Sequence, residues 1–217
     1  MTENDVPPDG PFRLKAQKPY EIARLAAVQQ LRDNWERTRL QGLGVEFGEG
    51  GRMALPCLCW TFELDEESLV VRLAPEGREV SVTWQVLTLN YLCGPAFLPP
   101  GRMISFADFP EGRTYIKTFQ GRVLQRLATT AARDEDDFIR AAERLGGVEL
   151  GREPLHYMFR FFPCFEIQVL RHRADEEFPT SCNVLFPENA PLLFSIEDAI
   201  VAAEKLISSL KGKSPLD

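Results

Sequence analysis

The spacing of apolar residues along the chain predicts five helices. Pro19 suits the first turn of a helix and Gly42 suits the position just after its end, so we expect the first helix to span about 19–41. The four other predicted helices cover 82–93, about 115–132, 134–145 and 196–210. The helix at 82–93 is apolar on nearly every face, which is typical of the central helix of a domain.

Runs of β-branched and aromatic residues between turn signals predict strands in two regions. The first region, with runs at 45–47, 53–64 and 69–73, is expected to form a small antiparallel meander. Pro56 removes one ladder hydrogen bond, so its strand should lie at an edge or carry a bulge. The second region has runs at 157–162, 165–171 and 182–186. The predicted fold class is α+β, with a mixed or antiparallel sheet packed against several helices.

The domain organisation predicted from the sequence is simple. Residues 1–18 are rich in proline and turn signals and are expected to form a flexible N-terminal tail. Residues 19–212 contain no internal repeat and no linker, so they are expected to form a single domain. A chain of 217 residues is long enough to bury a core without disulfides or a structural metal.

Charge and cysteine usage restrict the classes of partner and the compartment. The chain has 25 lysines and arginines against 32 aspartates and glutamates, a net charge of −7, which disfavours nucleic acid and anionic lipid as partners. Five cysteines, no signal peptide and no apolar run of membrane-spanning length favour a cytoplasmic protein with reduced thiols. A protein partner or a small-molecule ligand remains, and the sequence does not indicate an oligomeric state.

One acidic segment between two predicted strands is the first candidate site. Its sequence is Asp175, Glu176, Glu177, Phe178 and Pro179. Carboxylates at a strand end can bind a metal, act as acid and base, or accept hydrogen bonds from a ligand. The alternative, which the proline favours, is a solvated connection between two strands.

Metal binding is a second hypothesis for the same region. His172, Asp175 and Glu177, with Cys182 nearby, form the densest set of potential ligands, and oxygen ligands with one histidine suit a divalent cation. Their spacing matches no known metal signature. Cys57 and Cys59 lack the two-residue spacer of redox motifs and are equally typical of buried thiols. No cofactor is evident.

Several enzyme classes are disfavoured. The only histidines are His156 and His172, and no nucleophile-elbow pattern accompanies them. The glycines at 42–44 and 48–51 lack the strand-then-helix context of a phosphate loop. Serine or cysteine hydrolases and ordinary nucleotide enzymes are therefore not expected.

An apolar pocket is the third hypothesis. Aromatic residues crowd 159–165, and Arg102, Arg113 and Arg122 each follow a glycine, so a flat ligand with an anionic group would find both apolar walls and cations. The alternative is that the aromatics form the core. The candidate ligand-binding residues are Trp84, Arg102, Tyr115, Arg122, Asp175, Glu177 and Phe178.

Three stretches together resemble the domain of unknown function 3786 of anaerobic bacteria and archaea. They are 84–92, 101–115, and the acidic segment followed by 184–186. The resemblance covers about 20–210 and implies an accessory role in anaerobic metal or tetrapyrrole (corrinoid or iron–sulfur) metabolism, with no catalytic residue to carry over. His172, Ala174 and Pro187 depart from the pattern, at positions where an aromatic residue, a glycine and an acidic residue are expected.

Three functions follow from these observations. The leading hypothesis is a non-catalytic accessory protein that binds a ligand or partner. One alternative is a small metal-dependent enzyme that uses Asp175 and Glu177. The other is a pure interaction subunit, which predicts an exposed apolar patch and no enclosed pocket.

Overall fold

A computed structural model describes residues 11–95, 97–99 and 101–217, and it has an α+β fold, as the sequence predicts. The helices are α1 (Pro11–Asp33), α2 (Arg37–Gly42), α3 (Val82–Leu92), α4 (Gly112–Phe119), α5 (Arg126–Thr129), α6 (Glu135–Arg144) and α7 (Ile196–Leu210), and a π-helical segment (Gln120–Gln125) joins α4 to α5. The strands are β1 (Glu46–Phe47), β2 (Arg52–Cys57), β3 (Trp60–Asp65), β4 (Arg72–Leu73), β5 (Arg78–Glu79), β6 (Met103–Ser105), β7 (Val148–Arg152), β8 (Leu155–Phe162), β9 (Phe165–His172) and β10 (Ser181–Pro187). Within the described ranges, no helix is both long and apolar enough to cross a membrane.

The first sheet is the predicted meander, with strand order β1-β2-β3-β4-β5 and antiparallel pairing throughout. The run at 53–64 forms two strands rather than one. Leu58 and Cys59 form a tight turn between Cys57 and Trp60, which pair across the hairpin. Pro56 lies beyond the last residue of β2 that pairs with β1, Ala54. The expectation that its strand lies at an edge or carries a bulge is therefore wrong: β2 lies between β1 and β3 in regular register, and Pro56 is tolerated because β1 has no residue opposite it.

The second sheet has strand order β6-β10-β9-β8-β7 and is also antiparallel. Strands β8, β9 and β10 are the three that the sequence predicts. Strand β7 is not predicted, because most of its residues, including Val148 and Leu150, are exposed and show no alternation. The short strand β6 forms the opposite edge and brings residues just after α3 beside the end of β10.

Helix α3 is the central helix, as predicted, and it lies between the two sheets. Its Trp84 is 1% exposed and contacts Phe62 of the first sheet edge-on, with ring centroids 5.6 Å apart. The same ring stacks on Phe161 of the second sheet at 5.3 Å. One hydrophobic cluster contains residues of both sheets. The aromatic residues at 159–165 accordingly belong to the core rather than to a ligand pocket.

The hydroxyl of Tyr91 in α3 joins two other parts of the chain. It donates a hydrogen bond to the Leu43 carbonyl at 2.6 Å and accepts one from the Cys164 N–H at 3.0 Å. Gly44 lies beside this junction with φ +87°, and a Cβ added there would lie 2.4 Å from Pro163 Cβ. Glycine is therefore required at this position for both its backbone conformation and its size.

The first predicted helix is wrong at both ends. Helix α1 begins at Pro11 and contains Pro19 in its interior, and the chain forms a separate helix, α2, after Asp33. Residues 11–18, assigned to the N-terminal tail from the sequence, are thus helical, and residues 1–10 of that tail lie outside the described residues. A proline suits a first turn because it lacks an N–H, but here the helix continues through it with one ladder bond fewer.

Candidate binding cleft

The acidic segment is an exposed turn between β9 and β10. Asp175 Oδ1 accepts hydrogen bonds from the N–H groups of Glu177 at 2.9 Å and Phe178 at 2.7 Å. The Asp175 N–H in turn donates to the Phe178 carbonyl at 2.9 Å. The Phe178 side chain is 65% exposed. The Asp175 carboxylate therefore stabilises its own turn, which is the solvated alternative foreseen from the sequence.

The three metal candidates do not form a ligand set. His172 and Asp175 line one cleft of about 300 Å³, together with Arg152, Glu153 and Arg173, whereas Glu177 does not line it. Among the described residues, no group of three histidine, cysteine or carboxylate side chains is placed to hold a metal ion. The metal hypothesis gains no support from this geometry and stays a prediction from the sequence.

The aromatic and arginine candidates lie in separate places. Trp84 is buried in the core, while Tyr115 is 39% exposed. Arg122, in the π-helical segment, is bound to α7. It donates from Nε and Nη2 to the two carboxylate oxygens of Glu204, at 3.0 and 2.7 Å, and from Nη1 to Glu197 at 2.8 Å. These hydrogen bonds raise the pKa of Arg122 and occupy the guanidinium within the fold.

Burial makes three of the five cysteines poor candidates for thiolate chemistry. Burial raises the pKa of the Cys57 thiol well above its ordinary value, and it raises the pKa of Cys93 to about 11. Cys182 is likewise buried, and its pKa rises to about 12. A thiol becomes nucleophilic when its pKa falls, so these three behave as small apolar side chains.

Arg102 is the sequence candidate that does line a sizeable cleft. This proline-lined cleft has a volume of about 630 Å³. Its lining residues are Pro99, Gly101, Arg102, Ile104, Asp108, Pro110, Glu188, Asn189, Pro191 and Leu192. They come from the loop after α3, from β6 and the loop before α4, and from the segment between β10 and α7. The pairing of β6 with β10 is what brings these distant segments together.

The charged groups of the cleft are two carboxylates and one guanidinium. Asp108 Oδ2 accepts hydrogen bonds from the Ser105 hydroxyl at 2.7 Å and the Ser105 N–H at 3.2 Å, and these bonds lower the pKa of Asp108. Arg102 Nε lies 3.8 Å from Glu188 Oε1, and their side chains are 79% and 53% exposed. An ion pair with this exposure and this separation between its atoms contributes little to stability. A charged group of a ligand can therefore replace one of its two partners.

Asn189 lines the proline-lined cleft. Its Nδ2 donates a hydrogen bond to the Pro99 carbonyl at 2.7 Å, which fixes the loop after α3 to the segment after β10. Its Oδ1 is shielded from solvent and has no hydrogen-bond partner within the described part of the chain. A shielded acceptor without a donor is uncommon and is a position where a ligand N–H would be stabilised.

A second cleft of about 340 Å³ lies beside the first. The two share Pro99 and Asn189, and the second is also lined by Gly42, Leu43, Phe97, Leu98 and Cys164. Phe97 at its rim is 75% exposed, and Leu192 at the rim of the first cleft is 54% exposed. The two neighbouring clefts, which meet at the hydrogen-bonded residues Pro99 and Asn189, are together called the groove, and each has an exposed apolar side chain.

Sequence reasoning identified one residue of this cleft and missed the others. Ser105 and Asp108 are spaced as a capping box, which is a local signal that was available. Glu188 and Asn189 follow β10 in an ordinary turn, and nothing in their neighbours indicates that β6 lies beside them. Only the strand pairing shows that these residues share a site.

Comparison with known proteins gives one match. Residues 37–209 match the family model described as "Domain of unknown function (DUF3786)". This range includes every residue that lines the proline-lined cleft. No curated protein and no solved structure matches the chain.

Proposed function

The chain belongs to the DUF3786 family, a domain of unknown function, and from that premise we propose that it is a non-catalytic module that binds a ligand or partner in the proline-lined cleft. The family supplies no activity to transfer. The proposal therefore depends on what the side chains of this chain can do.

The composition of the cleft carries the proposal. Its volume of about 630 Å³ lies within the usual range of ligand sites, roughly 300–1,000 Å³. Five of its side chains are apolar, namely Pro99, Ile104, Pro110, Pro191 and Leu192, and the polar groups are few. Apolar walls with a few polar groups are typical of recognition sites.

The positions of the polar groups favour binding over catalysis. The Asp108 carboxylate is occupied by Ser105, and Arg102 and Glu188 are exposed to solvent. Catalytic acids and bases generally need a desolvated place where pKa values shift toward neutrality. A carboxyl group that acts as a general acid or base near neutral pH needs a raised pKa, whereas the pKa of Asp108 is lowered.

A chemical-shift titration with a neutral probe tests the proposal. We expect benzamide, added to ¹⁵N-labelled protein, to perturb backbone amides at 101–104 and 188–192. Leu192→Glu should remove these perturbations because it places a charge on the apolar wall. Leu150→Glu is the matched control, since Leu150 on β7 is 48% exposed, much as Leu192 is, and lies outside the cleft. Perturbations confined to other surfaces, or unchanged in Leu192→Glu, would contradict the proposal.

The resemblance to proteins of anaerobic metabolism suggests a finer hypothesis. This hypothesis places the module in anaerobic metal or tetrapyrrole metabolism, and the cysteine usage of the chain adds a cytoplasmic location. Native mass spectrometry and thermal shift with cobinamide and uroporphyrin test it. If these tetrapyrroles neither bind nor stabilise the protein, the metabolic hypothesis is overturned. The proposal of a binding module is not affected by that result.

The alternative of a metal-dependent enzyme keeps its own test. Asp175→Asn with Glu177→Gln removes the two candidate carboxylates of the acidic turn, leaves Glu176 in place, and keeps an oxygen acceptor at each changed position. If the chain binds Mn²⁺ through these residues, calorimetric titration should show weaker binding by the double variant. Unchanged affinity would dismiss this role for the acidic turn.

A further inference from the structure

We propose that the occupant of the proline-lined cleft is an extended, largely apolar peptide segment of a partner protein, and that this segment carries a basic side chain. The inference rests on the proposed function, because it names the class of molecule that the same site binds. Shape, charge and main-chain chemistry each favour it.

The shape of the site favours an extended chain over a compact ligand. The proline-lined cleft and the second cleft of about 340 Å³ share Pro99 and Asn189, so two recesses lie side by side on the surface. Phe97 and Leu192, exposed by 75% and 54%, lie on different parts of the groove. A single small molecule in either part would leave the apolar surface of the other in water, whereas an extended segment covers both.

The charges of the groove favour a basic side chain. Asp108 and Glu188 provide two carboxylates against the single guanidinium of Arg102, and the hydrogen bonds from Ser105 keep Asp108 ionised. The whole chain adds a net charge of −7, which attracts a cationic partner at long range. The sign is opposite to the anionic ligand that the arginines suggested from sequence.

Main-chain groups at the border of the groove favour a peptide backbone. The Glu188 N–H donates to the Arg102 carbonyl at 2.9 Å, so these two residues are a hydrogen-bonded pair of the β6–β10 ladder. Because pairs alternate in an antiparallel ladder, the N–H and C=O of Met103 point away from β10. Both neighbours of Met103 line the cleft, so an extended segment can pair with this edge.

Asn189 supplies a further acceptor for a peptide. Its Oδ1 has no donor among the described residues, and its Nδ2 is held by the Pro99 carbonyl, so the amide orientation is fixed with the oxygen unsatisfied. Because this oxygen is shielded from solvent in the free chain, a main-chain N–H of the bound segment would satisfy it only where binding moves the groups that cover it. An apolar small molecule without an N–H would leave it unpaired.

Selection from a library of random nonapeptides displayed on phage, with the full chain as target, tests the inference. We expect the enriched peptides to combine apolar residues with at least one lysine or arginine. Synthetic copies should bind the chain by fluorescence anisotropy, and Leu192→Glu should weaken binding at least tenfold. Leu150→Glu, the matched exposed leucine, should leave affinity within about twofold.

Charge and backbone recognition are tested separately on an enriched peptide. Glu188→Gln should lower affinity several-fold and reduce its dependence on salt, while Glu76→Gln, on an exposed turn of the first sheet, should do neither. In a scan of single N-methylated peptides, at least one position should lose about tenfold in affinity, because its N–H no longer reaches an acceptor.

The outcomes separate this inference from the proposed function. Absence of enriched peptides, together with benzamide binding in the cleft, would overturn the peptide inference and leave the binding module standing. If neither enriched peptides nor benzamide binding in the cleft is found, the peptide inference and the proposed function are both overturned. Enriched peptides that are acidic, or that bind the Leu192→Glu variant as well as the wild type, would also overturn the inference.

Discussion

Two arginines that share one carboxylate show how burial decides the role of a charged residue. Arg171 and Arg173 both bind Glu135, but their side chains are 6% and 60% exposed. Arg171 also donates to the Ala132 and Arg133 carbonyls, at 2.9 and 3.3 Å. These contacts hold the loop between α5 and α6 against β9. In the sequence the two arginines look alike, because only His172 separates them at the end of a strand.

Replacement of Arg171 should therefore cost far more stability than replacement of Arg173. We expect Arg171→Met to lower the free energy of unfolding by about 2–3 kcal/mol, because the buried Ala132 carbonyl, the Arg133 carbonyl and Glu135 all lose a donor. Arg173→Met should cost much less than Arg171→Met, since the ion pair of Arg173 is exposed. Urea unfolding of both variants measures the difference. Equal losses would show that burial is not the deciding factor.

Glu135 should give the stability of the protein a dependence on acidic pH. Hydrogen bonds from Arg173 and the charges of both arginines lower the pKa of Glu135 in the folded state below its ordinary value of 4.5. Its contribution is therefore complete above that ordinary value and is lost as pH falls through the lowered folded pKa. Wild type should be more stable than Glu135→Gln at pH 7, and the gap should shrink between about pH 5 and pH 3. Unfolding curves across this range, with Glu76→Gln as an exposed control, test it; a gap that stays constant would contradict it.

At the scale of elements, the junction between α2, α3 and the turn after β8 depends on one glycine and one hydroxyl. Gly44 has φ +87° and Pro163 fills the space where a Cβ would be. The Tyr91 hydroxyl ties the same two segments together. The positive φ of Gly44 and its contact with Pro163 therefore both require a residue without a Cβ. The backbone has little room to adjust to a larger residue at this position.

Gly44→Ala should be strongly destabilising. We expect a loss of about 3 kcal/mol or more, because a positive φ and a steric overlap with Pro163 act together. Gly77→Ala is the matched control: its φ is +65° but nothing lies within 4 Å of the added Cβ, so only the conformational cost of about 1 kcal/mol applies. Thermal or urea unfolding distinguishes the two, and a similar cost at both sites would contradict the role of Pro163.

The elements that the sequence predicts are those with a strong local pattern. The inner faces of β8, β9 and β10 alternate with less buried positions, and the Ser195–Asp198 capping box begins α7 as its spacing indicates. Strand β7 has no buried face, and α1 continues through Pro19, so local rules fail for both. The tight turn at Leu58, with φ 51°, is also unforeseen, because leucine rarely adopts that conformation.

At the scale of the whole molecule, the candidate site could be predicted only in fragments. Arg102 lines the proline-lined cleft, whereas Trp84 is in the core and Arg122 is bound to α7. Asp175 stabilises an exposed turn beside a different, smaller cleft. A cleft is made by segments that are distant in sequence, and their meeting depends on strand pairing. Sequence reasoning finds residue types capable of chemistry, but it does not find which of them the fold brings together.

The pairing of β6 with β10 has a consequence for the order of folding. Each strand of the first sheet pairs with its neighbour in sequence, and so do β7 to β10, but β6 pairs with a strand that follows only after α4, α5, α6 and β7 to β9. Closing so long a loop costs more chain entropy than closing a hairpin, so we expect β6 to dock late. The proline-lined cleft would then exist only in chains that have completed the other steps, and a partner that binds there would select finished molecules from incomplete ones.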